Sequence, residues 1–219
     1  MSAYIKLQDK FLKAFFAGRF SQDFYLTGGT ALAKFYFQHR ESFDLDFFTQ
    51  EQEIDFNEVN LEMVKIIERL GLKIEKQTIT DTFLQYIVKD KRKTELKIDL
   101  VKDIPVHFGI IQTKNKVRFD SLKNIGSNKI LAIFGRVDPK DFVDLFFILN
   151  KTNLSFKKLY EMAKQKDLGL SEFFLANSIL KIKETKILPK MLVDLDRKEM
   201  IAFYEALAKK LFLKIKPKN

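Results

Sequence analysis

A chain of 219 residues with 46% apolar and 31% charged side chains has the length and composition to bury a sizeable core, as one large domain or two small ones, and is neither disordered nor fibrous. It has no cysteine, which excludes a disulfide framework, a thiolate metal site and a cysteine nucleophile, and no stretch approaches the ~20 apolar residues of a membrane helix. Its net charge of +10 is unevenly placed: residues 1–120 carry 19 basic and 18 acidic side chains, a net +1, whereas residues 121–219 carry 20 and 11, a net +9.

The N-terminus, M-S-A-Y-I-K-L-Q-D-K, lacks the apolar block and cleavage site of a signal peptide, so a cytoplasmic protein is expected. Residues 2–18 predict an amphipathic helix with Ile5, Leu7, Phe11, Leu12, Phe15 and Phe16 on its buried side and Gly18 at its close. A short apolar run, Phe24-Tyr25-Leu26, then leads into Gly28-Gly29. Thr30 opens a segment of helix formers with Leu32, Phe35 and Tyr36 on one face. Strand-like alternation follows, Phe43, Leu45 and Phe47 pointing one way and Asp44, Asp46 and Phe48 the other.

Residues 56–70 predict a second helix through Val59, Met63, Ile66 and Leu70, stopped by Gly71. Three strand-like runs, 72–79, 82–89 and 94–102, are joined by tight turns at Thr80-Asp81 and Lys89–Lys93, which predicts antiparallel pairing and a mixed sheet. From about Asp120 the pattern is helical: 121–134, 139–150, 155–165, 171–184 and 197–213, with the tail Lys214–Asn219 expected to fray. The expected organisation is a domain over 1–120 followed by a basic helical domain over 121–219. A basic half beside a carboxylate-bearing half suits a polyanionic partner, although a lysine-rich solvated surface gives the same count.

The chemistry concentrates between Leu26 and Thr49. On one strand, Asp44 and Asp46 share a face at a spacing of roughly 7 Å, from a rise of ~3.4 Å per residue, which suits divalent metal ions. An Asp-x-Asp on an exposed edge strand means nothing alone; the glycine pair upstream makes it a candidate site. Gly28 and Gly29 permit a turn of either backbone sign and clear the approach of a phosphate. The helix start after them adds free N–H groups, and Thr30 would cap that helix or touch a phosphate oxygen. Arg40 lies within reach of a phosphate, while His39 reads as a packing or hydrogen-bonding residue. Ser42 reads as a turn or cap.

The residues Gly28-Gly29-Thr30-Ala31-Leu32-Ala33, His39-Arg40, Ser42 and Asp44-Leu45-Asp46-Phe47-Phe48 resemble the nucleotidyltransferase superfamily with polymerase-β-like catalytic domains. More narrowly they look like its AbiE-type toxin branch, from type IV toxin–antitoxin systems. Fourteen residues, 30–43, separate Gly29 from Asp44, as is familiar in this branch. The resemblance implies an α+β fold: a polymerase-β-like mixed sheet with flanking helices, followed by a helical C-terminal domain. It also implies a third carboxylate from a later strand. Asp99, in Leu96-Lys97-Ile98-Asp99-Leu100, is the best candidate, with Glu95 and Asp103 behind it.

Downstream, Lys129 and the group Arg136, Lys140, Asp141 and Asp144 resemble the branch's lysine-then-aspartate motif. Lys129 would bind the triphosphate, and Asp141 or Asp144 would orient it or touch the base. D-P-K-D-F-V-D-L-F-F-I-L equally fits an ordinary helix with Pro139 at its first position. The implied activity is transfer of a nucleoside monophosphate from an NTP to an acceptor hydroxyl with Mg²⁺ or Mn²⁺, on RNA such as a tRNA 3′ end, under control of an antitoxin. The rivals are a catalytically inactive nucleotide- or RNA-binding module and a metal-dependent phosphohydrolase.

Overall fold

The structure is a computed structural model, and it describes residues 2–185 and 187–215. It divides into two compact units, one of residues 1–31 and 42–121 and one of residues 32–41 and 122–219. The second boundary lies at the charge shift near Asp120. Residues 32–41 cluster with the helical unit, although they precede most of the sheet in the chain. Among the described residues no helix is long and apolar enough to cross a membrane.

The first unit is a seven-stranded mixed sheet of order β3-β4-β5-β2-β1-β7-β6. Its strands are β1 (Tyr25–Thr27), β2 (Leu45–Thr49), β3 (Lys73–Ile79), β4 (Phe83–Lys89), β5 (Glu95–Lys102), β6 (Gln112–Lys114) and β7 (Val117–Phe119). The meander β3-β4-β5 is antiparallel as its tight turns require, while β5 runs parallel to β2. Helices α1 (Ala3–Phe15) and α3 (Phe56–Arg69) cover one face. Asp55 caps α3 by accepting from the Asn57 N–H, and Gly71 ends it at φ +66°.

That covered face is the core. Leu45 and Phe47 of β2, Leu96, Ile98 and Leu100 of β5, and Leu84, Tyr86 and Val88 of β4 are all buried on it. The ring of Phe47 meets those of Phe11, Phe15 and Phe16 with centroids 6.4, 4.3 and 5.9 Å away. Of the residues predicted for the inner side of α1, Ile5 is only half-buried. Phe43 departs from the alternation: it precedes β2, stands exposed, and rests on Tyr4 at 4.6 Å between centroids.

Two features differ from the sequence pattern. No element is predicted over 103–120, yet β6 and β7 form a hairpin there. Its two turn residues, Asn115 (φ 53°) and Lys116 (φ 66°), take the left-handed region without a glycine. The helix expected to open at Thr30 starts instead as the short α2 (Gly28–Ala31) and widens into a π-helical turn over Leu32–Tyr36, in which Phe37 N–H donates to Leu32 O at 2.9 Å. Of its predicted apolar face only Leu32 is fully buried.

The second unit packs α4 (Leu122–Gly135), α5 (Pro139–Lys151), α6 (Phe156–Lys166), α7 (Glu172–Leu180) and α8 (Arg197–Ile215), with a 3-10 turn at Lys181–Glu184. Side chains of Asp138, Ser155 and Ser171 cap α5, α6 and α7. Gly126 lets α6 approach α4, since a Cβ there would stand 2.8 Å from Leu159 Cδ1. Residues 32–41 are pinned within this unit by Leu192 N–H to His39 O (2.8 Å) and Glu41 N–H to Lys190 O (2.9 Å). Of the expected frayed tail, Lys214 and Ile215 complete α8, with the Lys214 ammonium 5.9 Å over the Tyr160 ring. The remainder of that tail, residues 216–219, lies outside the described residues.

The alternation on β2 makes a direct contrast. Phe47→Ala empties a site walled by three other rings and is expected to cost about 3–5 kcal/mol. Phe43→Ala, at an exposed position, is expected to cost less than about 1 kcal/mol. Urea unfolding of both variants checks the difference.

Candidate active site

The strand face opposite the core carries the carboxylates. Register places Gln85 of β4 beside Asp99 of β5, Asp99 beside Asp46 of β2, and Asp46 beside Thr27 of β1. Four strands thus contribute one polar row, and every member is there because its neighbours at ±1 face the core. Asp44 stands just before β2, and its carbonyl accepts from Thr30 Oγ1 at 2.5 Å. Thr30 is itself buried, and its hydroxyl also hydrogen-bonds with that of Ser42 at 2.9 Å. Its hydroxyl therefore anchors the turn to the Asp44 loop rather than facing a ligand.

Gly28 closes the site from the turn side. Its φ is +68°, and a Cβ added to it would stand 2.8 Å from Asp46 Oδ2. Any side chain would meet both backbone strain and the carboxylate. Gly29 follows it, buried in α2.

Asp99 is fully engaged. Oδ1 accepts from Gln85 Nε2 at 3.0 Å and Oδ2 from Lys97 Nζ at 2.7 Å. Burial works against the Lys97 ammonium, but the hydrogen bond to Asp99 and the charges of Asp99, Asp44 and Asp46 outweigh it and lift its pKa above the ordinary lysine value. The other two candidates for the third carboxylate are turned to other tasks. Glu95 pairs with Lys89 at 3.5 Å, and Asp103 accepts from the Ile104 N–H beyond the end of β5. Among the described residues no three carboxylate or imidazole side chains converge as a ready-made metal cage.

The row continues past Thr27, whose hydroxyl donates to Asp120 Oδ2 at 2.5 Å. Asp120 is fully buried and also accepts from His107 Nε2 at 2.8 Å and the Ser121 N–H at 2.7 Å. Nearby, burial first, then the charges of Asp120 and Asp103, push the Tyr25 phenol well above its usual pKa. Sequence reasoning missed Lys97, Gln85, Asp120 and His107. Only Lys97 left a signal, since it lies two residues from Asp99 on a strand and so shares its face.

The remaining predicted residues gather in the helical unit. Asp144 accepts from Arg40 Nε and Nη2 (both 2.7 Å), from His39 Nε2 (2.8 Å) and from Lys129 Nζ (2.7 Å). Lys129 also donates to Asp141 Oδ1 at 2.6 Å, and Arg136 to Asp141 Oδ2 at 2.9 Å. His39 and both aspartates are fully buried, and Arg40 and Lys129 nearly so. His39 thus hydrogen-bonds as expected, while its Nδ1 is buried without a partner. Arg40 and Lys129, expected to meet phosphate, are both engaged by carboxylate here.

Burial alone would raise the Asp144 pKa. The Lys129 charge and the hydrogen bonds from His39 and Arg40 overcome it and hold the carboxyl far below the usual range. Asp141 is lowered in the same way by Lys129 and Arg136. Because folded-state values lie below unfolded ones, this cluster contributes stability that is complete above about pH 4 and is lost as pH falls. Lys129→Met leaves two buried carboxylates short of a donor. It is expected to cost about 3–5 kcal/mol at pH 7 and much less at pH 3, as thermal melts at the two pH values will show.

Comparisons with known proteins bear on the fold and the family. A structure described as a putative nucleotidyltransferase from H. pylori superposes with a TM-score of 0.65 at 19% identity, covering 98% of this chain and 97% of that one. MenT4, a nucleotidyltransferase toxin of Mycobacterium tuberculosis, superposes at 0.60 with 12% identity over 98% and 84% of the two chains. At these identities the likeness is one of fold. An uncharacterized protein of Aquifex aeolicus is 27% identical over 176 residues, 75% of this chain and 76% of its own length. The profile of the family described as "Nucleotidyl transferase AbiEii toxin, Type IV TA system" matches residues 10–211, nearly the whole chain. The chain belongs to that family and is a nucleotidyltransferase of the toxin–antitoxin class.

Proposed function

We propose that this enzyme transfers a nucleoside monophosphate from an NTP to a hydroxyl of RNA, a tRNA 3′ end being the fitting acceptor, and releases pyrophosphate. The observation that carries the reading is the in-register pair Asp46–Asp99, with Gly28 so close to Asp46 that no side chain fits between turn and carboxylate.

The donor set suits a hard cation such as Mg²⁺ or Mn²⁺, which takes one or two carboxylates from the protein and further oxygens from the substrate's phosphates. Asp44 and Asp46 would hold it, with Asp99 joining once nucleotide is present. When bound, it supplies charge neutralisation and polarisation at the phosphoryl oxygens. The chain's own residues do the rest. The Gly28-Gly29 turn, bare of side chains, is the element assigned to the phosphates. Asp99, oriented by Gln85, takes the proton of the attacking hydroxyl as the new oxygen–phosphorus bond forms at the α-phosphorus and the bond to the leaving pyrophosphate breaks.

Further nucleotide-binding roles are assigned to Arg40, Lys129, Asp141 and Asp144 of the helical unit. The excess of +9 over residues 121–219 supports an RNA backbone as the polyanion. An NTP donor and a tRNA acceptor place the reaction in the cytoplasm, and the family supplies a cognate antitoxin as the controlling partner.

Incubation with α-labelled NTPs, Mg²⁺ and total RNA should label RNA and release pyrophosphate; release of orthophosphate without labelled RNA would sink the reading. Asp46→Asn and Asp99→Asn are each expected to slow transfer more than about 100-fold, roughly 2.7 kcal/mol of barrier. Asp103→Asn should change it little.

Salt offers a separate check. RNA binding should weaken with a log–log slope near 0.7 to 0.9 per phosphate contact. Reversing two exposed charges of α6, Lys157→Glu with Lys158→Glu, should flatten that slope and leave NTP affinity unchanged. Filter binding across a salt series measures both.

A further inference from the structure

We propose that Lys97 is a built-in counter-cation of the site: its ammonium stands in for a divalent ion at Asp99, so that the nucleotide-free protein binds one such ion, at Asp44 and Asp46, and admits a second only together with the triphosphate. This rests on the metal reading given above and adds to it a residue that controls how many ions enter, and when.

The geometry comes first. Lys97 and Asp99 lie two residues apart on β5, hence on one face, and the Nζ–Oδ2 distance is 2.7 Å. Gln85 holds the other oxygen at 3.0 Å, so each Asp99 oxygen already carries a donor that competes with a cation. The parallel strands β2 and β5 set Asp46 opposite Asp99, and Asp44 lies just ahead of β2. The ammonium that pairs with Asp99 therefore lies on the same sheet face as Asp46, the register partner of Asp99.

Charge decides the number of ions. Three carboxylates and one ammonium leave a net −2, which a single divalent ion neutralises; without Lys97 the net is −3, and a second ion is favoured. Lysine suits the task better than arginine, because a compact ammonium on a flexible stem can leave Asp99 without breaking a planar two-pronged pairing. Its side chain is 36% exposed and the Asp99 side chain 14%, so the ammonium sits at the rim of the site and not beneath it. An arriving triphosphate offers new anionic oxygens for that ammonium and brings its own cation. Asp99 is then released for its part in the reaction.

The probe is Mn²⁺ titrated into nucleotide-free protein, with free Mn²⁺ read by electron paramagnetic resonance. Wild type should bind one ion. Lys97→Met and Lys97→Gln should bind a second, or bind the first tighter by on the order of tenfold. Lys97→Arg should return the stoichiometry to one, and Lys97→Met with Asp99→Asn should lose the gain. Circular dichroism checks that each variant is folded. Two ions in the wild type, or Lys97→Met titrating like wild type, would overturn the role of Lys97 and leave the metal reading standing. No binding by either protein would overturn both.

Discussion

Asp46 and Phe47 are neighbours on one short strand, and the two-residue period of that strand is the constraint on which the sheet unit depends. Phe47 is drawn into a cluster of rings under α1. That burial commits Asp46 to the opposite face whatever its own cost in repulsion from other carboxylates. The same logic acts on β5, where Ile98 and Leu100 go inward and Asp99 outward, and on β4, where Leu84 and Tyr86 leave Gln85 on the polar side. The hydrophobic effect thus builds the row, and the row's own charges have little say in where they stand. Lys97 is the local answer to the repulsion, placed by the same alternation.

In the helical unit the order is reversed, because polar groups are themselves the centre. Two carboxylates inside a helical core would be prohibitive alone, yet they meet Arg40, Lys129, Arg136 and His39 with near-ideal hydrogen-bond distances. Satisfying Asp144 requires donors from residues 32–41 and from α4 at once. The cluster therefore specifies how that segment lies against α4 and α5, which apolar packing alone leaves loose. The backbone bonds from Leu192 and Glu41 hold the same segment from its other side.

Much of this was legible in the sequence, and the reasons differ by element. Helices α3 to α8 and the meander β3-β4-β5 announce themselves by long periodic runs with caps or tight turns at their ends. Asp44, Asp46 and Asp99 follow from alternation together with the family resemblance. The β6–β7 hairpin was hidden because each strand is only three residues long and its turn, Asn115-Lys116, lacks the glycine that usually marks such a turn. The π-helical turn at Leu32–Tyr36 leaves no period to read over five residues. Lys129, Asp141 and Asp144 stand out in the sequence only as members of a lysine-then-aspartate motif. Their mutual pairing joins two successive helices, and the recruitment of Arg40 to Asp144 spans 104 residues of chain, which no local pattern carries.

The chain passes between its two units three times, after residues 31, 41 and 121, because ten residues of the helical unit are inserted into the sheet unit's sequence. The two units are therefore not separable at the single charge boundary near 120. A fragment beginning at 122 would carry Asp144 without Arg40 or His39, hence a buried carboxylate missing most of its donors. A fragment ending at 121 would carry residues 32–41 with nothing of their own unit to pack on. Ribosomal synthesis meets the same ordering: the sheet unit can complete its strands once residue 121 has emerged, while the segment holding Arg40 waits for α5. Covalent threading ties the two units through three crossings, whereas the charge count marks a single boundary.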